Sequence, residues 1–349
     1  MGCGTSSKRP ELGPPPVQYA RFMPPFAQKD IAPYNSKSPT ICSFRPGSKA
    51  LVKCNCETES CSVDQISYSQ SRTTDMQTER DILLQRIQQH GAIVASVAFP
   101  DYGGVVTDEE TKTSYLIAGS PEGSLVGSRT LYAFDHSGND QNRKNDLHIG
   151  RHTFGFSAYD KDTMLIAGGN TSEAEKSCEA YDYRTETWEI KHNLPVGLKG
   201  PSLVRFKTDL DSDAFVIYCI GGHRDLGATK GDQIFMLPQI DQTWNNVTIN
   251  TLIPKLQFQR MAGAIQITPD DIFIFGGRDN DYLSKQNYLF KISTAEVILL
   301  KTDLPNSDMF CAGEVKLFNN KVFAISYSQW GLNVFDFKSY KWEFKRIYS

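Results

Sequence analysis

The sequence predicts an all-β chain built as a propeller of four-stranded blades. Apolar runs end in glycine pairs at Gly168-Gly169, Gly221-Gly222 and Gly276-Gly277, and the first glycines lie 53 and 55 residues apart. A period of about 50 with several short strands per unit is a propeller signature. Each pair leads into a second strand with a spacing of seven residues between large side chains: Tyr181 to Trp188, Leu237 to Trp244 and Phe290 to Val297. Phe335 to Trp342 keeps that spacing near the C-terminus. Leu194-Pro195, Ile253-Pro254 and Leu304-Pro305 close the three units.

A small twisted sheet cannot bury both of its faces alone, so such units pack around an axis. Glycines at strand ends allow backbone shapes or close approaches that a side chain forbids. Aromatics at the strand ends supply inter-blade contact area. Gly168, Gly169, Tyr181, Trp188, Gly221, Gly222, Trp244, Gly276, Gly277, Phe335 and Trp342 therefore read as packing residues rather than ligand contacts.

The unit at 164–195 joins AGG, YDYRTETW and a Leu-Pro exit, and it resembles the Kelch repeat. The units at 215–254 and 272–305 keep the glycine pair, the spacing and the exit, with Val297 where the family has Trp. Tyr115–Gly150 is weaker, with one glycine in LIAGS and Phe134-Asp135 without a Trp; Lys321–Tyr348 lacks the glycine pair but keeps FDFKSYKW. The resemblance covers about residues 92–349 and implies a Kelch-type β-propeller. Five blades are expected, near 92–150, 151–196, 201–254, 256–305 and 308–349, with residues 35–70 as the source of a sixth if there is one. Most Kelch propellers are recognition modules; some are enzymes, including copper oxidases and a sugar epimerase.

The N-terminus opens MGCGTSSKRP. Gly2 with Ser6 fits the myristoylation pattern, and Cys3 beside it is a candidate for palmitoylation. One myristoyl chain binds a membrane only marginally, so a second signal matters. Residues 1–53 hold eight Lys/Arg against two Asp/Glu, a local +6 that leaves −9 for the remainder of a chain of net charge −3. A basic tail on an acidic body suits an anionic cytoplasmic leaflet. Prolines from Pro10 to Pro46 mark an extended linker, so residues 1–73 read as a largely disordered tail.

Cys42, Cys54, Cys56 and Cys61 could hold zinc, but Cys54-x-Cys56 is not knuckle spacing, and a solvated loop or further acylation is the plainer reading. The metal expectation is therefore none. Residues 74–91 read as a short amphipathic helix, with Thr74 and Gln77 as a capping box and Gly91 as its stop. The propeller then begins at Ala92, where AIVASVAF and the stretch to Thr107 give the first blade its opening strand. No leftover strand staples the ring shut in this reading. Cys178, Cys219 and Cys311 fall in strands as small apolar residues, and the scattered cysteines point to a reducing compartment.

In a four-stranded meander the loop after the second strand and the loop before the first share one face. His223-Arg224 and Arg278 follow the glycine pairs, and Arg151-His152 and Arg260 precede first strands. Arginine forks there could receive an acidic peptide or a phosphate. Asp225, Asp279, Asp281 and Asp308 lie nearby, so a solvated, self-neutralised loop set is the alternative.

Net charge gives no electrostatic case for nucleic acid. No apolar run is long enough to span a bilayer, and no signal-peptide core is present. No phosphate loop, Gly-x-Ser-x-Gly elbow or HExxH occurs. The sequence thus predicts a monomeric, cofactor-free, non-enzymatic scaffold or adaptor, tethered by lipid to the cytoplasmic face of a membrane. The competing readings are an enzyme with its site at the central pore and an untethered cytosolic Kelch binding protein.

Overall fold

Short apolar strands separated by turn residues pair locally, and in this chain they do so as antiparallel sheets throughout. The structure is a computed structural model that describes residues 40–44, 50–65 and most of 102–347, leaving out the breaks at 109–110, 112, 121–125, 136–140, 208–213, 224–232, 251–252, 254–259, 280–281, 311–314 and 327–330. The lipidation residues Gly2 and Cys3, the helix expected at 74–91, and Arg224 lie outside the described residues.

Strands β1 (Thr40–Phe44), β2 (Ala50–Asn55) and β3 (Ser60–Gln65) form a three-stranded sheet. Blade one holds β4 (Gly104–Asp108), β5 (Thr113–Ile117), β6 (Leu131–Asp135) and β7 (Gln141–Arg143). Blade two holds β8 (Gly155–Ala158), β9 (Thr163–Ala167), β10 (Cys178–Asp182) and β11 (Thr187–Lys191). Blade three holds β12 (Ser202–Phe206), β13 (Val216–Ile220), β14 (Ile234–Leu237) and β15 (Asn245–Val247). Blade four holds β16 (Gly263–Gln266), β17 (Asp271–Phe275), β20 (Asn287–Lys291) and β21 (Glu296–Leu299), with a small hairpin of β18 (Arg278–Asp279) and β19 (Tyr282–Leu283) between its second and third strands. Blade five holds β22 (Val315–Phe318), β23 (Lys321–Ile325), β24 (Gly331–Asp336) and β25 (Lys341–Arg346). The five four-stranded sheets form a propeller ring, as the sequence predicts. Blade one opens with Gly104–Asp108.

The spacing of seven becomes a cross-strand pair. Tyr181 faces Trp188, Phe290 faces Val297 and Phe335 faces Trp342 across their hairpins. The turn is set by the Asp that follows the aromatic: Asp182 Oδ1 accepts the N–H groups of Arg184 and Thr185, and Asp336 Oδ1 accepts those of Lys338 and Ser339. Glu186, Ala295 and Tyr340 close these turns at φ of 56°, 52° and 58°. Trp188 and Trp244 are buried, and each donates its indole N–H to the preceding blade, to Asn145 O and His192 O respectively. These tryptophans are inter-blade staples.

The glycine pairs all lie at positive φ, and a Cβ on Gly168 would sit 2.5 Å from Leu198 O. Blade one manages with Ala118 at φ 46° beside Gly119, a conformation that few side chains adopt.

First strands pack round the axis in order, β4 on β8, β8 on β12, β12 on β16 and β16 on β22. Four apolar clusters fill the seams between successive blades.

Three sequence expectations need correction at the fifth seam. Residues 40–44 and 50–65 are not tail: β1 touches β23 on one side and β4 on the other, so their sheet fills the ring between blades five and one. Val52, Cys54 and Cys56 bury against Phe318, Phe323, Ile325, Leu332 and Val334 of blade five. Nor is the cysteine group a solvated loop. Pairing of β2 with β3 sets Cys54 opposite Cys61, and a disulfide joins them, while Cys56 is buried. That disulfide also departs from the expectation of fully reduced cysteines. Cys178 and Cys219 are free and buried in β10 and β13, where burial pushes both thiols up, Cys178 to about 12.

Glu59, in the β2–β3 turn, bonds both Lys321 and Lys345 of blade five. Burial opposes its ionisation, but the two lysines outweigh burial and hold the carboxyl below its ordinary value of 4.5. A depressed folded-state pKa contributes stability above the unfolded value that is lost as pH falls through the folded one. Hydrogen-exchange protection of residues 50–64 is therefore expected to fall relative to blade two as pH drops from about 5 to about 3. In Glu59→Gln that acid-specific loss should vanish, with weaker protection already present at neutral pH. Unchanged relative protection across that range in the wild type would remove Glu59 from the closure.

Candidate functional site

The loops between second and third strands and those leading into first strands do share a face. Backbone bridges join them in pairs: Ser128 with Arg151, Lys199 with His223, and Arg260 with Arg278. The N–H groups of Gly119, Gly169 and Gly277 donate to Arg151 O, Leu198 O and Asp308 O, so these three glycines tie one blade to the lead-in of the next.

In the lead-ins to blades two to five, one residue donates its N–H to its counterpart on the previous blade. Thr153 donates to Tyr102 O at 2.9 Å, Gly200 to Thr153 O at 2.7 Å, Met261 to Gly200 O at 2.7 Å, and Phe310 to Met261 O at 2.9 Å. Tyr102, Thr153, Gly200 and Met261 all take left-handed backbone, at φ of 56°, 54°, 64° and 56°. Each such non-glycine residue costs on the order of 1–3 kcal/mol, which the surrounding bonds must hold in place. This collar of backbone hydrogen bonds was not legible in the sequence, because three of its four left-handed positions carry no glycine. Met261 and Met309 form an apolar patch with Tyr102 and Leu283 beside it.

The structure redistributes the six predicted contact residues. Arg151 is not on the surface. It is fully buried, its guanidinium donating to Gly168 O at 2.8 Å, Ser177 O at 3.1 Å, Ser177 Oγ at 2.9 Å and Glu179 Oε1 at 2.5 Å. Burial pushes the guanidinium below its ordinary value, against the opposing pull of Glu179. Glu179 is equally buried and also accepts the N–H groups of His148 and Ile149. The physical reason for the correction is this ion pair, which a reading of isolated loops could not find. The clue present in the sequence was Glu179 itself, a charge set between Cys178 and Ala180 inside a strand. His152 is also buried, with Nδ1 at 3.0 Å from Thr153 Oγ1 and its ring 6.3 Å from that of Tyr102.

His223, Arg260 and Arg278 remain partly exposed at the bridges, and Lys199 joins them as a residue that sequence reasoning missed. Lys199 Nζ lies 3.5 Å from Glu175 Oε1, so part of its charge is offset. Blades three and four thus present two stacked basic pairs at one level. Among the described residues, no three His, Cys, Asp or Glu side chains converge as a metal cluster, and no helix is long and apolar enough to cross a membrane.

No protein-family model matches the chain, and no curated protein is significantly similar to it.

Proposed function

We propose that the chain is a Kelch-type interaction module whose loop face receives an acidic segment of a protein partner. The observation that carries this reading is the pair of backbone bridges, Lys199 with His223 and Arg260 with Arg278, which set four basic residues of two adjacent blades at the same register. A rigid collar holds that register, so little ordering entropy is lost on binding. Arginine side chains add forked donors suited to carboxylates. Arg151 takes no part, because it is buried and its terminal nitrogens already donate to Gly168, Ser177 and Glu179.

The MGCGTS opening supports a lipid tether at Gly2, with Cys3 as the site of a second chain and the +6 tail as a further membrane signal. In this reading the tether concentrates the module at the cytoplasmic face of a membrane and the propeller performs no chemistry.

Arg260→Glu with Arg278→Glu is the test of the face. Loss of a native partner by at least about tenfold, with the wild-type interaction weakening as salt rises, is the expected result. Undiminished binding by a folded double variant would move the contact elsewhere. The tether is tested separately by the mass of the N-terminal peptide and the membrane partition of Gly2→Ala.

A further inference from the structure

The collar of backbone bonds runs from Tyr102 to Phe310 and crosses the four seams between blades one and five. At the fifth seam the closing sheet brings an apolar cluster against blade five and the two lysine bonds of Glu59. Both contributions come from the β2–β3 hairpin. Asn55 Oδ1 accepts the N–H groups of Glu57 at 2.8 Å and Thr58 at 3.2 Å, and Glu59 closes the turn at φ 51°. This turn sets Cys54 opposite Cys61, where the disulfide joins them. Alternation along a strand puts Val52, Cys54 and Cys56 on one face, and that face is buried against blade five.

The two sulfurs of the bond are not equally placed. Cys54 is fully buried, whereas Cys61 is partly exposed on β3, an end strand of its sheet, between exposed Ser60 and Ser62. A disulfide open on one side is the labile kind, because exchange needs a thiolate to reach one sulfur. Cys178 and Cys219 are deeply buried thiols pushed up by burial, so a thiol reagent passes them by. On the tether reading the chain meets a reducing compartment, where disulfides are transient and redox-sensing. The exposure of Cys61 stands without that reading.

We infer that the Cys54–Cys61 disulfide is a reducible clasp on the ring closure, which a dithiol opens at Cys61 to loosen the β2–β3 hairpin from blade five. A thiolate of the dithiol attacks Cys61 Sγ and forms a mixed disulfide, while Cys54 leaves as a thiolate and takes a proton. The second thiolate of the dithiol then attacks the dithiol's own sulfur in the mixed disulfide. That step closes a cyclic disulfide and releases Cys61, which takes the second proton. Two electrons pass from the dithiol to the protein. The hairpin then loses the link that holds Cys54 and Cys56 in the cluster and Glu59 against Lys321 and Lys345. Cys56, buried and two residues from Cys54, reports whether the sheet has lifted.

The test uses the full chain without denaturant, before and after treatment with dithiothreitol. N-ethylmaleimide labelling, done after anaerobic removal of the dithiol, and hydrogen exchange are both read peptide by peptide. In the oxidised chain Cys56 should label as slowly as Cys178 and Cys219. After reduction, Cys56 labelling should rise about ten- to hundredfold, and protection of residues 50–63 should fall by a like factor with blade two unchanged. Oxidised glutathione should restore both. Cys61→Ser should show the loosened values with or without the dithiol; if that variant does not fold, the wild-type comparison decides alone. A bond that opens only when Cys178 and Cys219 also label would be a structural link and overturn the inference. Reduction that leaves Cys56 labelling and protection unchanged would overturn it equally, as would a dithiol effect that persists in Cys61→Ser.

Discussion

Glu179→Ala is expected to destabilise the protein by about 3–5 kcal/mol, the usual result of stripping one partner from a buried ion pair. Arg151 would be left with no compensating charge in a fully buried place, and two backbone N–H groups would lose their acceptor. A denaturant midpoint measures the loss. The same titration on Arg151→Met with Glu179→Leu separates charge from packing. The double variant should cost less than the sum of its single changes by about 0.5–3 kcal/mol, since neither charge is then stranded. Full additivity would mean that the two side chains stabilise the seam independently. His148 stays half-exposed at 3.0 Å from Glu179, and its backbone N–H is the more important contribution.

Phe335→Ala should cost a similar amount, about 3–5 kcal/mol, through lost burial and the cavity left behind. Phe335 is fully buried and packs on Phe273 at 4.9 Å, Phe337 at 4.9 Å and Trp342 at 5.1 Å. Phe273 and Phe275 belong to blade four, so this aromatic group is the seam between two blades rather than the interior of one. Hydrogen exchange should accelerate in β17 as well as in β24. Acceleration confined to β24 would make the cluster internal to blade five and contradict the packing described here.

What the sequence disclosed was what local geometry dictates. A residue and its seventh successor meet across a tight hairpin whatever the rest of the chain does, so Tyr181 with Trp188 and Phe335 with Trp342 could be read in advance. Gly168 and its counterparts are legible because a side chain there would strike a carbonyl. Ala118 carries the same backbone with no such mark, which is why blade one looked weak. The closing sheet was foreseen only as the alternative of a sixth unit from residues 35–70, for a different reason. The proline-rich stretch leading into it and its irregular cysteines resemble linker composition, and its apolar partners lie more than 250 residues away in β22 to β24. Long-range pairing also decided Arg151. Nothing beside it in the chain distinguishes a solvated arginine from one drawn inward by Glu179, whereas Arg260 and Arg278, joined by a backbone bridge, stay partly exposed.

The loop face and the opposite face can be told apart directly by the hydrogen-exchange footprint of a native partner on the full chain. The account predicts new protection at residues 199–200, 222–223, 260–261 and 277–278, where the basic bridges meet the collar. Protection instead at the hairpin turns around Lys161, Arg184 and Lys338, which lie on the other face, would contradict it.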